Sequence, residues 1–198
     1  MTVLPERVVR GDLRPQERAL LDAADALLAE GASWASLSIG AIAERAGQTR
    51  TGFYQYFGGK RDLLVAITGE FVDGLFDDAD RWWSGSGGRA ELRAALATIA
   101  AHFRESRVLV RALMEAAGSD PTVAAYWTAE IDRFVAATRE RLVRDGHLEP
   151  EAGEIAAVLV WMVERTGHLL AADDDETRDA ARVDALTTVW ARTLSLGP

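Results

Sequence analysis

Apolar residues recur along this chain at intervals of three and four, the spacing of one face of an α-helix, and strand-like alternation is absent. Leu20, Leu21, Ala24, Leu27 and Leu28 form the first stripe, with Pro15 suited to a helix start and Gly31 to its end. Ile42, Ala43 and Ala46 form the second, between Ser38 as an N-cap and Gly47 as a left-handed C-cap. Thr49 is placed to cap a third helix running to about Phe57, whose Phe53 and Phe57 face inward onto Ile42 and Ala46. From Arg61 to about Trp83 a longer stripe holds Leu63, Leu64, Ile67, Phe71, Leu75 and Phe76. Ser84 to Gly88, SGSGG, reads as a flexible linker. Beyond it the pattern predicts helices over Arg89–Glu105 and Arg107–Ala117, then from Pro121 to about Asp145 and from Pro150 to about Ala172. A last one runs from the acidic turn Asp173–Glu176 to about Leu196. The expected fold is all-α, with about nine helices.

The turn at Gly47 is too short for its two helices to run side by side, so they must cross steeply. That is the helix-turn-helix arrangement, in which the second helix stands out where it can enter the major groove of DNA. Trp34 and Leu37 are expected to fold over its core and complete a three-helix head. The expected division is a DNA-binding head over 1–60 and a helical body over 61–198. With Phe53 and Phe57 turned inward, Arg50, Thr51, Tyr54 and Gln55 share the outward face. Arg50 can reach guanine as a fork, Gln55 adenine or a phosphate, and Thr51 either. Tyr56 and Lys60, near the helix exit, suit phosphates. Ser38, Thr49 and Gly52, around the helix starts, complete the candidate DNA-binding set. Residues 1–12 carry Arg7 and Arg10 without periodicity and are either an arm that touches DNA or a disordered terminus.

Charge qualifies this picture without reversing it. The net charge is −9, which is unpromising for a DNA binder. Residues 1–65, however, hold 8 basic and 8 acidic side chains, and the acidic excess lies wholly in the remainder, with 14 basic and 23 acidic. A neutral head with a few placed cations implies moderate, salt-dependent affinity, with the acidic body repelled from phosphate. Lys60 is the single lysine; the other basic residues are arginine. Cysteine is absent, and His102, His147 and His168 lack clustered ligand partners, so no metal site and no cofactor are expected. The acidic turn at 173–176 reads as solvated. No run of about 20 uninterrupted apolar residues occurs, so a cytoplasmic protein without membrane contact is expected. No Ser/His/Asp set, phosphate-binding glycine loop or paired-carboxylate arrangement stands out, and an enzyme is not expected.

The run G-x-T-x-x-x-F-Y-x-Y-F-x-x-K, here Gly47 to Lys60, resembles the recognition helix and following turn of the TetR family of transcriptional regulators. Gly52 departs from it, standing where the family commonly has Thr or Ser, at roughly 1 kcal/mol of helix propensity. Gly58 replaces a usual Pro and Gln48 a small apolar residue. The body is similar to the mycobacterial ethionamide-resistance repressor subgroup. That similarity rests on F-x-x-S-x-x-V-x-R from Phe103 with a downstream Trp127, which fits loosely, and on V-E-R-T at Val163–Thr166 and W-x-x-T at Trp190–Thr193. The resemblance implies a homodimer that represses transcription from a palindromic DNA operator and is released by a small apolar effector. Carried over by position, the effector channel would be lined by Leu92, Ile99, Phe103, Phe134, Thr138, Val163 and Trp190, with Thr138 as hydrogen-bond partner. The body aromatics, Trp82, Trp83, Trp127 and Trp161 included, are otherwise core. In the family the helix from Arg61 connects head to body; Gly69 and Gly74 inside it serve either close packing or a hinge.

Dimerisation is expected through the last two helices, by a stripe of Ile155, Leu159, Met162, Thr166 and Leu169 on one and Ala185, Leu186, Val189 and Leu196 on the other. Glu164 and Arg165 lie beside it, placed to pair locally or across the dimer. The competing expectation is an all-helical carrier of apolar ligands without specific DNA binding, motivated by Gly52 and the uncharged head.

Overall fold

The structure, a computed structural model, describes residues 13–85, 87–173 and 175–196; the Arg7–Arg10 segment and Ser86 of the glycine-rich linker lie outside them. Within the described residues the regular structure is all α-helix, in the order α1 (Pro15–Ala29), α2 (Ile39–Arg45), α3 (Arg50–Phe53), α4 (Lys60–Ser84), α5 (Arg89–Glu105), α6 (Arg107–Ser119), α7 (Pro121–Arg144), α8 (Glu151–Ala172) and α9 (Glu176–Thr193). The all-α expectation holds.

Local chemistry sets the boundaries. The Ser38 hydroxyl accepts from the Ala41 amide at 3.1 Å and starts α2. Gly47, at φ +66, ends it: the Gly47 amide donates to the Glu44 carbonyl and the Gln48 amide to the Ala43 carbonyl at 2.8 Å. These paired bonds satisfy carbonyls that a helix end otherwise leaves open, and they require the left-handed conformation that glycine adopts without strain. The Thr49 hydroxyl then accepts from the Gly52 amide at 3.0 Å and starts α3.

Compactness divides the chain otherwise than at residue 60. One unit comprises the described residues up to Asp73 together with Val108–Trp127; the other comprises Gly74–Arg107 and the chain from Thr128 onward. Both α4 and α7 therefore contribute to each unit. The first unit buries Leu20, Leu21, Ala24 and Leu28 of α1, Trp34 and Leu37 of the following loop, Ile42 and Ala43 of α2, Phe53, Phe57, and Leu63 and Leu64 of α4. Surface ion pairs border it: Arg18 with Glu70, Arg45 with Glu30, and Arg61 with Asp120.

In the second unit α5 packs chiefly on α9 and α8. Its core gathers Trp82 and Trp83 of α4, Leu92 and Leu96 of α5, Leu142 of α7, Leu159 and Leu170 of α8, and Leu186 and Trp190 of α9. Phe103 of α5 presses on Gly167 of α8 so closely that a Cβ at that glycine would lie 2.6 Å from the ring. Phe103 is itself buried, with little room to retreat. Gly167→Ala should therefore destabilise the protein by about 1–3 kcal/mol through overpacking, read as a lower urea midpoint at unchanged slope. An unchanged midpoint would show that the ring can yield.

Candidate nucleic-acid interface and body

The helix-turn-helix is held by contacts from outside it. Lys60, the first residue of α4, points its ammonium back into the first unit, donating to the Trp34 carbonyl at 2.5 Å and the Leu37 carbonyl at 2.9 Å. It also lies 4.7 Å from the centre of the Trp34 ring. Burial pushes the Lys60 pKa down, against an opposing attraction from Glu115. The Glu115 carboxylate of α6 accepts from the amides of Trp34 and Ala35, both at 2.9 Å. The loop between α1 and α2 is thus held by its carbonyls through Lys60 and by its amides through Glu115. The Lys60 ammonium, expected at a phosphate, is engaged here by two carbonyls and an aromatic face.

On α3 the inward and outward faces separate as the spacing requires. Phe53 is fully buried and Phe57 nearly so, with ring centres 5.7 Å apart. Thr49, Arg50, Thr51, Tyr54 and Gln55 are exposed. The helix is shorter than expected. Regular α-helix stops at Phe53, and bonds from the Gln55 amide to Gly52 and from the Tyr56 amide to Phe53 tighten the next turn to three-residue spacing. Gly52 lies inside this short helix and weakens its propensity. A Cβ there would sit 3.3 Å from the Thr49 hydroxyl, so glycine also leaves the cap uncrowded.

Tyr56 is half-buried, and the Arg14 guanidinium lies 4.6 Å from the centre of its ring. Gln48 donates to the Gln16 carbonyl at 2.8 Å, tying the turn to α1. Ser38 and Thr49 use their hydroxyl oxygens as cap acceptors. Arg50, Thr51, Tyr54 and Gln55 are thus the exposed side chains of this segment that serve neither as a helix cap nor as a tie to α1 among the described residues. The supports at Arg14, Gln48 and Glu115 carry no short-range signal in the sequence.

The expected channel residues all fall in the second unit, where they are packed. Leu92, Phe103, Thr138 and Trp190 are buried, and Ile99, Phe134 and Val163 partly so. Phe134 joins Phe76 and Trp83 in an aromatic cluster with ring centres 4.9 to 5.7 Å apart. The Thr138 hydroxyl accepts the Trp83 indole N–H at 3.2 Å, so it already has a partner. Trp82 and Trp190 meet edge to face at 5.6 Å, and neither buried indole N–H finds a hydrogen-bond acceptor among the described residues. A groove of about 210 Å³ opens between α4 and α5, lined by Asp78, Arg81, Trp82, Glu91, Ala94, Ala95 and Thr98, none of them from the expected channel.

The α8 helix is apolar on two faces. Ala152, Ala156, Leu159 and Leu170 point into the core, while Val158, Trp161 and Leu169 stay exposed, as does Val189 on α9. The outward stripe thus centres on Val158 and Trp161; Leu159 and Leu186, expected at a dimer surface, are buried instead. Glu164, expected to pair with Arg165 locally or across a dimer, is buried and lies 2.9 Å from His168.

Comparison with known proteins agrees with this arrangement. Residues 20–67 match the family model described as bacterial regulatory proteins, tetR family, and residues 92–195 that of the transcriptional regulator EthR, C-terminal domain. The HTH-type transcriptional regulator EthR of Mycolicibacterium smegmatis is 30% identical over 186 residues, covering 88% of this chain and 84% of that protein. Among solved structures, a transcriptional regulator from Rhodococcus sp. RHA1 superposes with a TM-score of 0.73 at 19% identity, over 92% of this chain and 99% of that one. A TetR-like regulator from Rhodococcus sp. RHA1 reaches 0.65 at 25% identity, over 96% and 99%. A complex of SmeT with triclosan reaches 0.70 at 19%, over 89% and 91%.

The geometry at Lys60 gives a direct expectation. Lys60→Met should lower stability by about 1–3 kcal/mol, because two carbonyls lose a charged donor, yet leave the salt dependence of DNA binding unchanged. Urea unfolding and binding titrations at several salt concentrations measure the two separately. A shallower salt slope would restore Lys60 to the phosphate contacts.

Proposed function

Because the chain belongs to the TetR family of bacterial regulatory proteins, with a C-terminal region of the EthR type, we propose that it is a ligand-responsive repressor acting as a dimer on palindromic DNA. The observation that carries the reading is the face of α3. Arg50, Thr51, Tyr54 and Gln55 stand exposed on a short helix whose other side is fixed by Phe53 and Phe57. Such side chains can read base edges: a guanidinium forks to guanine, an amide to adenine, and hydroxyls to bases or phosphates. A carrier of apolar ligands has no use for this face, so the DNA-binding reading is preferred.

The dimer forms through α8 and α9. Val158, Trp161 and Leu169, with Val189, make an exposed apolar stripe on a helix whose opposite face is already in the core. A second copy placing the same stripe against this one removes both from water in a self-complementary contact. Two heads presented this way match a two-fold related operator.

The effector is a small, mostly apolar molecule bound among the body helices, as the resemblance implies. With Thr138 already paired to Trp83, the orphaned indole N–H groups of Trp82 and Trp190 are the better polar anchors. They favour a molecule carrying a hydrogen-bond acceptor, such as a carbonyl or ether oxygen. For release, the effector must bind the DNA-incompetent state more tightly than the competent one.

Two measurements test the reading. On an operator selected from random DNA by the wild-type protein, Arg50→Ala should lose about 1–3 kcal/mol of binding and relax the preference at one base position. Unchanged affinity and preference would remove Arg50 from base reading. Trp161→Glu should weaken self-association by at least about tenfold in sedimentation equilibrium, since a charge would be buried in the contact. Undiminished dimer formation would place the interface elsewhere.

A further inference from the structure

The end of α4 is poorly equipped to finish itself. A helix C-terminus leaves carbonyls without intrahelical donors, and the chain after Ser84 is rich in glycine. The donors come from α7. Arg141, only 4% exposed, donates from Nη1 to the Trp82 carbonyl and, at 2.9 Å, to the Gly85 carbonyl, with the Trp83 carbonyl 3.4 Å away. Its guanidinium carbon lies 4.6 Å from the centre of the Trp82 ring, and its Nε donates to Asp145 at 2.7 Å. Arg144 donates to the Trp83 carbonyl at 2.9 Å, and Thr138 accepts from the Trp83 indole at 3.2 Å.

Thr138, Arg141 and Asp145 are three and four residues apart, so they share one face of α7. That face grips both the backbone and the side chains of the last turn of α4. A guanidinium suits the task because its planar fork serves several acceptors while its face lies on an indole, and its charge opposes the negative end of the helix dipole. At the start of α4 the direction is reversed, its own Lys60 ammonium donating to the loop carbonyls of Trp34 and Leu37.

We infer that Arg141 is a positioning residue for DNA binding: it locks the C-terminal end of α4 to α7, so that α4 changes position only together with α7. The inference rests on the repressor reading above and extends it. Phe134 and Thr138, both expected effector contacts, lie on the gripping helix, and Thr138 is part of the grip. An effector that shifts α7 or takes the Thr138 hydroxyl would therefore act on α4, whose other end begins at Lys60 beside α3.

The test uses the full chain and three variants. Arg141→Gln removes the fork, Arg141→Lys keeps the charge but not the fork, and Arg144→Gln removes the outer arm. Amide hydrogen exchange over residues 82–85 should quicken by about tenfold in Arg141→Gln, and less in the other two, while α5 amides keep their rates. Binding to the operator selected by wild type should weaken by about tenfold in Arg141→Gln with the salt slope unchanged, and should be partly rescued in Arg141→Lys. If Arg141→Gln does not fold, the Arg141→Lys and Arg144→Gln variants decide the same question.

Unchanged exchange at 82–85 in the folded variants would overturn the grip. Faster exchange with wild-type operator affinity would overturn its role in DNA binding. Failure of the wild-type protein to select any operator would overturn the repressor reading itself, and exchange would still decide whether Arg141 holds α4.

Discussion

The helix-turn-helix depends on one cation in the right place. Lys60 opens α4, yet its ammonium reaches back to the carbonyls of Trp34 and Leu37, one residue before the Ser38 cap of α2. This joins the exit of the reading turn to the entrance of the helix-turn-helix. Glu115 secures the same loop by its amides, so backbone groups of both polarities are satisfied where no regular structure could satisfy them. The exposed face of α3 is only four residues of regular helix followed by a tightened turn. So short a helix does not hold its own shape in water, and its orientation is supplied by its surroundings. Arg14 against Tyr56, Gln48 on Gln16 and the two buried phenylalanines complete that support.

The second unit applies the same logic to a larger core. Its interior is aromatic, with Phe76, Trp83 and Phe134 in one cluster and Trp82 with Trp190 in another. The buried indole N–H groups of Trp82 and Trp190 find no acceptor among the described residues. Val158, Trp161 and Leu169 on the outer face of α8 are exposed among the described residues. A helix of 22 residues with this composition could by length cross a membrane, but its inner face is committed to the core and Glu164 is buried beside His168. The proposed dimer contact would cover the outer face while the inner face stays in the core.

Much of this was legible in the sequence because the responsible forces are local. Caps act over three residues, so Ser38 and Thr49 announced their helices; the left-handed C-cap is glycine's by sterics, so Gly47 announced the turn. Helical periodicity gave the inward placement of Phe53 and Phe57. Where the contact is remote, spacing along the chain does not show it. The acceptors of the Lys60 ammonium lie 23 and 26 residues away. The indole that donates to the Thr138 hydroxyl lies 55 residues away. The outer stripe of α8 is only partly legible: Leu169 is exposed as expected and Leu159 is buried, because a helix apolar on two faces has no single phase and spacing does not separate Leu159 from Val158.

In the proposed function the outward face of α3, held by this frame, reads DNA sequence. The most direct test is fluorescence anisotropy of the purified protein with DNA flanking its own gene and with a scrambled duplex of equal composition, each at two salt concentrations. A sequence-reading α3 binds the flanking DNA more tightly at both concentrations, with affinity for each duplex falling as salt rises. Equal binding to both duplexes at either concentration would mean that the face contacts phosphate without reading bases.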